Sequence, residues 1–218
     1  LCKVGLCTAL PLELGEVGRP LLPTRWPDVT VATVAFGHGI SLTPLHLVRA
    51  TATIMNGGHL VAPTFLAQPA PVAPQGPVVV SARTVDLMRR IMRANVTSPE
   101  GSGGKADVPG YFVGGKTGTA EKTVGRRYSQ DARLSSFIAA FPSYNPRYIV
   151  YAMVDEPRGT ASTHGFATGG WVAAPLIGRV IAQMGPLYGM KPLAPDDADA
   201  VRALSLEVRT RRAESASY

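Results

Sequence analysis

The feature that most constrains this chain is the glycine-rich stretch 110–122, because the segments after it predict an antiparallel sheet around it. Residues 137–141 are apolar, a turn with two prolines follows at 142–146, and 148–155 is a second apolar segment. So short a turn joins neighbouring antiparallel strands. We therefore predict an antiparallel meander of three strands, at about 111–122, 132–141 and 147–155.

One interpretation of the stretch is a phosphate-binding loop, since Gly110–Thr117 fits G-x-x-x-x-G-K-[ST] letter for letter. Such a loop needs a buried strand before it and a helix after it. Residues 99–109 are instead typical of a loop, and the glycines and threonines of 118–127 oppose a helix. A nucleotide hydrolase using magnesium stays an alternative, weakened by the antiparallel sheet.

A second interpretation rests on Lys116-Thr117-Gly118, the K-T-G element of penicillin-recognising serine enzymes. On a strand beside a cleft, Lys116 would favour proton removal from a nucleophilic serine. Thr117 and Thr119 offer hydroxyl donors to a carboxylate, and the Thr119 N–H can serve an oxyanion hole. The absent side chains of three glycines would let an extended peptide lie against the strand: Gly114, Gly115 and Gly118.

Further blocks occur in an order that a known family shows. Residues 33–58 resemble its G-x-G-[IL]-x-x-T-P-L-x-L…N-G-G block, and 108–120 resemble its third catalytic motif. Residues 136–157 resemble the strands that follow, and 169–175 the loop into the last helix. Over about residues 1–190 the chain thus resembles the class B penicillin-binding proteins, most closely the septal, FtsI-type peptidoglycan D,D-transpeptidases.

The resemblance implies an α/β (α+β) fold of the penicillin-binding transpeptidase and serine β-lactamase type, with an antiparallel sheet flanked by helices. Residues 1–192 would be the C-terminal portion of that domain. Residues 193–218 would be a charged tail, weakly helical or disordered. It also implies the site residues, with Lys116 and Thr119 catalytic. Those binding substrate would be Thr117, Gly118, Thr119 and, on the rim of the cleft, Thr168, Gly169 and Gly170.

The function that the resemblance implies is the cross-linking of peptidoglycan stem peptides during septum formation, through a serine acyl-enzyme. β-Lactams would acylate the same serine. The protein would lie on the periplasmic face of the inner membrane, held by an anchor helix outside this chain. Partners would be stem peptides, β-lactams, the upstream part of the same protein and possible division proteins. No cofactor and no metal are implied.

The other two catalytic motifs of the family, S-x-x-K and S-x-N, are not found in their expected settings. Residues 102–105 match S-x-x-K by letters, but two consecutive glycines oppose the helix that the nucleophile should open. Residues 143–145 match S-x-N, but they follow K-T-G and fill a turn. We interpret both as coincidences. The nucleophile is then expected upstream of Leu1, and the chain alone is expected to be inactive.

Two further alternatives stay open. A D,D-carboxypeptidase or β-lactamase-type hydrolase would use the same strand and release an acid instead of a cross-linked product. A non-catalytic fragment that binds the division machinery would need no serine.

Charge and cysteine content add weaker constraints. The net charge is +7 although the acids of 193–218 outnumber its arginines, so the excess lies in the body of the chain. A basic body suits anionic lipid or cell-wall polymer, and solubility alone also explains it. With few aromatics and no recognised module, no nucleic acid is expected. Cys2 and Cys7 are predicted to be free thiols, with a disulfide as the alternative that an oxidising periplasm would permit, and the four histidines show no ligand spacing.

The helices follow from caps and periodicity. Thr43 and Pro44 predict a helix start, and Gly57-Gly58 its end. Ser81 predicts a second start, a third helix is expected at about 171–184, and a short one at about 197–209. The predicted inward faces are Leu45, Val48, Ala52 and Met55; Val85, Met88 and Met92; and Leu176, Ile177, Val180 and Ile181. His46 is expected on a helix surface or in local packing. Irregular or flexible segments are expected at 1–32, 62–77 and 160–168.

Overall fold

The computed structural model describes residues 1–68, 76–124 and 127–206, with backbone alone at 123, 124 and 127–131. Short 3-10 turns lie at Cys2–Val4, Gly104–Ala106 and Ala161–Thr163. The helices are α1 (Asp28–Ala35), α2 (Pro44–Met55), α3 (Ala82–Thr97), α4 (Gly169–Leu187) and α5 (Ala198–Leu204). The strands are β1 (Gly114–Val124), β2 (Arg127–Phe141) and β3 (Tyr148–Asp155).

The three strands form one antiparallel sheet in the order β1-β2-β3, which confirms the predicted meander. Lys116 lies opposite Ile138 in this register, and Thr119 lies opposite Ser135. The predicted start of β1 at Tyr111 is wrong, because Phe112 has a positive φ of 46° that breaks the extended backbone. The segment before β1 turns into the core instead.

The main core lies between the sheet and α4. Phe137 and Phe141 of β2 and Ile177 and Ile181 of α4 are fully buried there. Of the predicted face of α4, Leu176 and Val180 are only half-buried. Small residues fill the remaining inward positions of the helix, so α4 packs close to the sheet: Ala173, Ala174 and Gly178. Helices α2 and α3 contact the opposite face of the sheet, where Met55 and Met92 pack against Ala140 and Ile149.

The predicted starts of α2 and α3 are confirmed. The Thr43 side chain accepts a hydrogen bond from the His46 amide, and the Ser81 side chain accepts one from the Thr84 amide. The predicted inward face of α2 is wrong, since only Met55 of that set is buried. Its buried side chains are His46, Arg49, Ala50, Thr53 and Met55.

His46 is fully buried, so a surface position for it is excluded. Its Nδ1 lies 2.7 Å from Thr43 Oγ1, and its Nε2 lies 3.0 Å from the carbonyl oxygen of Thr8. Both ring nitrogens therefore have a partner, which is what allows a polar ring to be buried. Helix α2 is tied in this way to the N-terminal segment.

The N-terminal segment is more ordered than predicted. Residues 28–32, expected to be irregular, belong to α1. Cys2 and Cys7 form a disulfide, which corrects the prediction of free thiols. Gly5, between them, has a φ of +83°, a backbone conformation that glycine adopts without strain. The turn it makes leaves the two cysteine Cα atoms 4.8 Å apart.

The described part of the tail packs on the body. The Leu193 amide donates to the carbonyl oxygen of Gly110, and Ala200 and Leu204 of α5 pack against Phe112. The predicted tail helix is thus present, ending at residue 204. Residues 207–218 lie outside the described residues, as do 69–75 of the predicted connector, and the boundary at residue 192 stays a prediction. In the described ranges, each helix is too short or too polar to cross a membrane.

Candidate active site

A cavity of about 480 Å³ lies where the loop before β1, the strand β1 and the start of α4 meet. Thr117, Thr119, Thr168 and Gly170 of the predicted site line it. Gly118 separates the two threonines on β1, and Gly169 is the first residue of α4. Five other residues complete the lining: Gly101, Ser102, Gly104, Lys105 and Trp171. The structure therefore brings Thr117 and Thr119 together with Thr168 and Gly170, whereas the predicted residues Lys116, Gly118 and Gly169 are not among the lining residues.

Strand β1 is at the edge of the sheet. It pairs with β2 on one side, and within the described ranges no strand pairs with its other side. The Asn95 side chain of α3 donates to the Gly115 carbonyl oxygen at 2.9 Å, just before Lys116. From Lys116 onward an extended peptide can add to this edge as a further strand.

Two lysines of β1 have contrasting surroundings. Lys122 donates to Asp155 at 3.0 Å and to Glu156 at 2.7 Å, and these bonds raise the pKa of its ammonium, Glu156 first. Lys116 is exposed, and among the described residues its Nζ donates only to Thr117, at 2.9 Å to the carbonyl oxygen and 3.2 Å to Oγ1. In the described part of the chain no carboxylate lies within ion-pair distance of Lys116. Its charge is thus available to an anion or a reacting hydroxyl.

The Thr119 hydroxyl is held by the start of α4. The Gly169 amide donates to Thr119 Oγ1 at 3.1 Å, and the N-cap residue Thr168 makes no side-chain capping bond. The first amides of a helix carry partial positive charge and favour an anion nearby. Because Thr119 Oγ1 accepts from Gly169, the threonine proton can still be donated to a ligand.

The two glycines at the start of α4 are required by packing. A Cβ at Gly169 would lie 2.3 Å from the Ser136 carbonyl oxygen and 2.7 Å from that of Gly118. A Cβ at Gly170 would lie 2.5 Å from the Ser102 carbonyl oxygen. Any larger residue at either position would push α4 away from β1 and from the loop that carries Ser102.

The glycines of β1 serve internal packing as well. A Cβ at Gly118 would lie 2.5 Å from Ser136 Oγ, and one at Gly115 would lie 2.4 Å from the Phe137 ring. At Gly114 it would lie 2.4 Å from Ser143 Oγ. The expectation that these positions are bare to admit a ligand therefore needs correction. Each missing side chain leaves room for an atom of the protein itself.

Sequence reasoning missed Ser102 and Asn95. Ser102 Oγ lies 2.7 Å from Thr117 Oγ1 and donates to Asn95 Oδ1 at 3.2 Å. The only sequence signal was the S-x-x-K match, which points to a different role. In the described residues Lys105 makes no hydrogen bond to Ser102, and its Nζ lies 4.1 Å from the centre of the Trp171 ring. Ser102 also precedes a short 3-10 turn and opens no α-helix.

Trp171 forms the aromatic wall of the cavity. Phe166 stacks on it with ring centres 5.4 Å apart, and the His164 ring meets it edge-on at 5.3 Å. The sequence spacing of these residues predicts no such cluster, because a loop brings them together. The wall places an apolar surface beside the hydroxyl groups of the cavity.

The structure does not support a catalytic S-x-N motif at 143–145 or a phosphate-binding loop at 110–117. Ser143 is buried and donates to the Ala140 carbonyl oxygen, so the S-x-N match does not face the cavity. The residues after Lys116 continue as β1 in an antiparallel sheet, where a phosphate-binding loop needs a helix. The nucleotide alternative is therefore wrong on geometry. Across the described residues no group of three or more histidine, cysteine or acidic side chains is placed to hold a metal ion.

Comparison with known families defines the class of protein. The family model described as the penicillin binding protein transpeptidase domain matches residues 3–181. Together with the sheet, α4 and the K-T-G strand, this match shows that the chain belongs to the transpeptidase domain family of the class B penicillin-binding proteins. The predicted resemblance and fold class are confirmed.

Individual proteins of this family show how similar the chain is and how much of their length it covers. The chain is 48% identical over 196 residues to the "Probable peptidoglycan D,D-transpeptidase FtsI" of Caulobacter vibrioides, covering 87% of this chain and 33% of that protein. It is 37% identical over 199 residues to the stage V sporulation protein D of Bacillus subtilis, covering 86% of this chain and 30% of that protein. The chain thus spans about a third of the length of these relatives.

Solved structures of penicillin-binding proteins resemble the fold of this chain. The apo transpeptidase domain of penicillin-binding protein 3 from Burkholderia pseudomallei superposes with a TM-score of 0.78 at 33% identity, covering 88% of this chain and 56% of that one. Penicillin-binding protein 3 from Mycobacterium tuberculosis, complexed with ampicillin, also gives 0.78, at 28% identity, covering 91% of this chain and 46% of that one.

Proposed function

We propose that this chain forms the K-T-G side of the active site of a peptidoglycan D,D-transpeptidase that acts in septum formation. The observation that carries the proposal is the cavity in which the Thr117 and Thr119 hydroxyls meet the start of α4 beside the free edge of β1. Family membership supports the reaction class. The nucleophilic serine and its lysine would come from a part of the protein outside this chain.

The geometry suits a peptide that ends in a carboxylate. Paired with the edge of β1, the peptide would place that carboxylate at the hydroxyls of Thr117 and Thr119. The partial charge of the first α4 amides, at Gly169 and Gly170, would favour the same anion. Thr168, at the N-cap, would form the rim. These roles make Thr117 and Thr119 substrate-binding residues, and Gly118 would take part through its backbone alone, since Ser136 Oγ occupies the space of its missing side chain.

The proposed reaction begins with a D-alanyl-D-alanine peptide. The serine would give its proton to the lysine that accompanies it, and its oxygen would bond to the penultimate carbonyl carbon. The C–N bond to the terminal D-alanine would break as that lysine passes the proton to the leaving nitrogen. Lys116 would stabilise the deprotonated serine oxygen through its positive charge. The Thr119 N–H would donate to the oxyanion. An amine of a neighbouring peptide would then displace the serine and complete the cross-link.

The proposal includes the cellular location of the protein and its binding partners. The surroundings would be the periplasmic face of the bacterial inner membrane, with the rest of the same protein carrying the anchor. Ligands would be peptidoglycan stem peptides and β-lactams, and other division proteins would bind elsewhere on the molecule. A D,D-carboxypeptidase or β-lactamase-type hydrolase would share the geometry of β1. It is distinguished by its product, a free acid instead of a cross-linked peptide.

A chimera tests the proposal. The 218 residues would replace the matching segment of the Caulobacter relative, and labelling by a fluorescent penicillin and intact mass would be measured. We expect one stoichiometric adduct on the chimera and none on the 218-residue chain alone. An adduct on the chain alone would show that one of its own serines is the nucleophile. No adduct on the chimera would contradict the proposal and favour a non-catalytic role.

The Lys116→Ala variant of the chimera sharpens the test. Loss of the positive charge should lower the acylation rate by about a hundredfold or more, as for other groups that assist proton transfer. Lys122→Ala is the matched control, because that lysine lies on the same strand but is paired with Asp155 and Glu156. Equal rates for the two variants would remove Lys116 from the mechanism.

A further inference from the structure

The hydroxyl of Ser102 adjoins the proposed carboxylate site. Ser102 is exposed, lines the same cavity as Thr117 and Thr119, and lies 2.7 Å from Thr117 Oγ1. Neither Lys105 nor Lys116 has a carboxylate within ion-pair distance in the described residues. The charge around Ser102 therefore favours an anion.

The hydrogen bonds around Ser102 form a chain in which each group donates to the next, from Lys116 to Asn95. Lys116 Nζ donates to Thr117 Oγ1 at 3.2 Å, and Ser102 Oγ donates to Asn95 Oδ1 at 3.2 Å. A hydroxyl has one proton, so Thr117 must donate its own to Ser102. The chain of donors thus ends on the Asn95 side-chain carbonyl. Without a ligand, the protons of Thr117 and Ser102 both have an acceptor.

Asn95 determines that direction, because its amide has only one satisfactory orientation. Its Nδ2 donates to the Gly115 carbonyl oxygen at 2.9 Å, which only accepts. Its Oδ1 is thereby turned toward Ser102, where it also accepts the Ser102 backbone N–H at 3.2 Å. Helix α3 thus connects the first residues of β1 to the loop that carries Ser102.

A carboxylate in the cavity can take the Ser102 proton at little cost. When the Ser102 hydroxyl turns from Asn95 to the carboxylate, Asn95 Oδ1 still has the Ser102 N–H as a donor. No buried acceptor is left without a partner, which is the usual penalty of such an exchange. The new bond to a charged acceptor is stronger than the one it replaces.

We propose that Ser102 is a third hydroxyl donor of the carboxylate site, alongside Thr117 and Thr119, and that Asn95 is its positioning residue. The ligand class is a peptide with a free C-terminal carboxylate. The inference takes the identity of the ligand from the proposed function. The hydrogen bonds of Ser102 and the positive charge of the nearby lysines support its role as a donor. Asn95 acts only through Ser102 and through the backbone of β1.

The test measures binding of N-acetyl-D-alanyl-D-alanine and of its C-terminal amide to the ¹⁵N-labelled chain. Backbone amide shifts of Ser102, Thr119 and Gly169 would report the dissociation constants. Ser102→Ala should weaken binding of the acid by about tenfold, the usual effect of losing one hydrogen bond to a charged group. Its binding of the amide should stay within about twofold, since the amide carries no charge.

Two further variants control for structural effects. Ser102→Thr keeps the hydroxyl and should bind the acid as the unaltered chain does. Ser205→Ala removes an exposed hydroxyl that donates to the Arg202 carbonyl oxygen, away from the cavity, and should change nothing. Each variant's own amide spectrum reports whether it is folded.

Three results would overturn the inference. They are equal binding of the acid by Ser102→Ala and the unaltered chain, an equal loss for acid and amide, and no saturable binding of the acid by the unaltered chain. The proposed function is tested separately by acylation of the chimera. Acid-selective loss at Ser102 together with an inert chimera would leave the carboxylate site standing and refute the transpeptidase.

Discussion

The unit made by the sheet and α4 contrasts with the N-terminal residues 1–41. In the sheet unit, large apolar side chains such as Phe137 and Ile177 are completely buried. In the N-terminal region Val29 and Phe36 are each 69% exposed. Burial of apolar area is the main stabilising term in folding, so the two regions should differ in what holds them. The sheet unit depends on packing, and the N-terminal region depends on specific polar and covalent links.

Those links can be named. His46 and Arg49 of α2 reach back to the N-terminal segment: His46 Nε2 lies 3.0 Å from the Thr8 carbonyl oxygen, and Arg49 Nη1 donates to that of Gly5 at 3.5 Å. Burial lowers the pKa of the Arg49 guanidinium, which remains charged at neutral pH. The disulfide between Cys2 and Cys7 closes the segment on itself. The contrast teaches that the candidate site is built on the part of the chain whose large apolar side chains are buried.

The largest expected effect is a cavity in the sheet unit. Phe137→Ala removes a fully buried ring and should lower the free energy of unfolding by about 3–5 kcal/mol. Phe36→Ala makes the same chemical change at an exposed ring and should stay within about 0.5 kcal/mol. Urea unfolding of both variants is the measurement. Similar losses in the two would contradict the contrast between the regions.

A smaller effect is expected from the disulfide. Reduction, or Cys2→Ser with Cys7→Ser, opens a loop with a separation of five residues, which by chain entropy costs about 2 kcal/mol. Hydrogen exchange should quicken in residues 1–10, while the amides of β2 from 134 to 141 keep their protection. Equal acceleration in β2 would show that the two regions unfold as one unit.

The smallest effect is expected at the far end of β1. The hydrogen bonds to Glu156 and Asp155 raise the pKa of Lys122. This pair therefore stabilises the fold below the ordinary lysine pKa, and the contribution is lost as pH rises through the raised value. Because the pair is exposed, Lys122→Met should change the thermal midpoint little, and less still in high salt. A large change at neutral pH and high salt would refute this assignment.

Much of the fold could be predicted because its signals are local. The turn at 142–146 determines the β2–β3 hairpin, and Thr43 and Ser81 determine two helix starts. The prediction of the buried face of α2 failed, because hydrophobic periodicity is a weak signal there. The buried face of α2 carries His46, Arg49 and Thr53, polar side chains that a hydrophobic period assigns to the surface. They are buried because each finds a partner.

The site was predicted in part for the same reason. Lys116, Thr117 and Thr119 belong to one short motif, so their spacing on β1 is inherent in the chain. Ser102 and Asn95 come from a loop and from α3, and their side chains meet Thr117 and Gly115 only in the folded state. No sequence period connects these positions. The same holds for the wall formed by Trp171, Phe166 and His164.

By itself the sequence determined the family, the antiparallel meander and the K-T-G strand, since each rests on residues close together in the chain. Only the tertiary structure decided that the Gly169 amide holds Thr119, that Asn95 orients Ser102, and that the β1 glycines make room for the protein's own atoms. The physical reason is range. Turns, caps and periods act over a few residues, whereas hydrogen bonds and close packing join atoms that are distant in the chain until it folds.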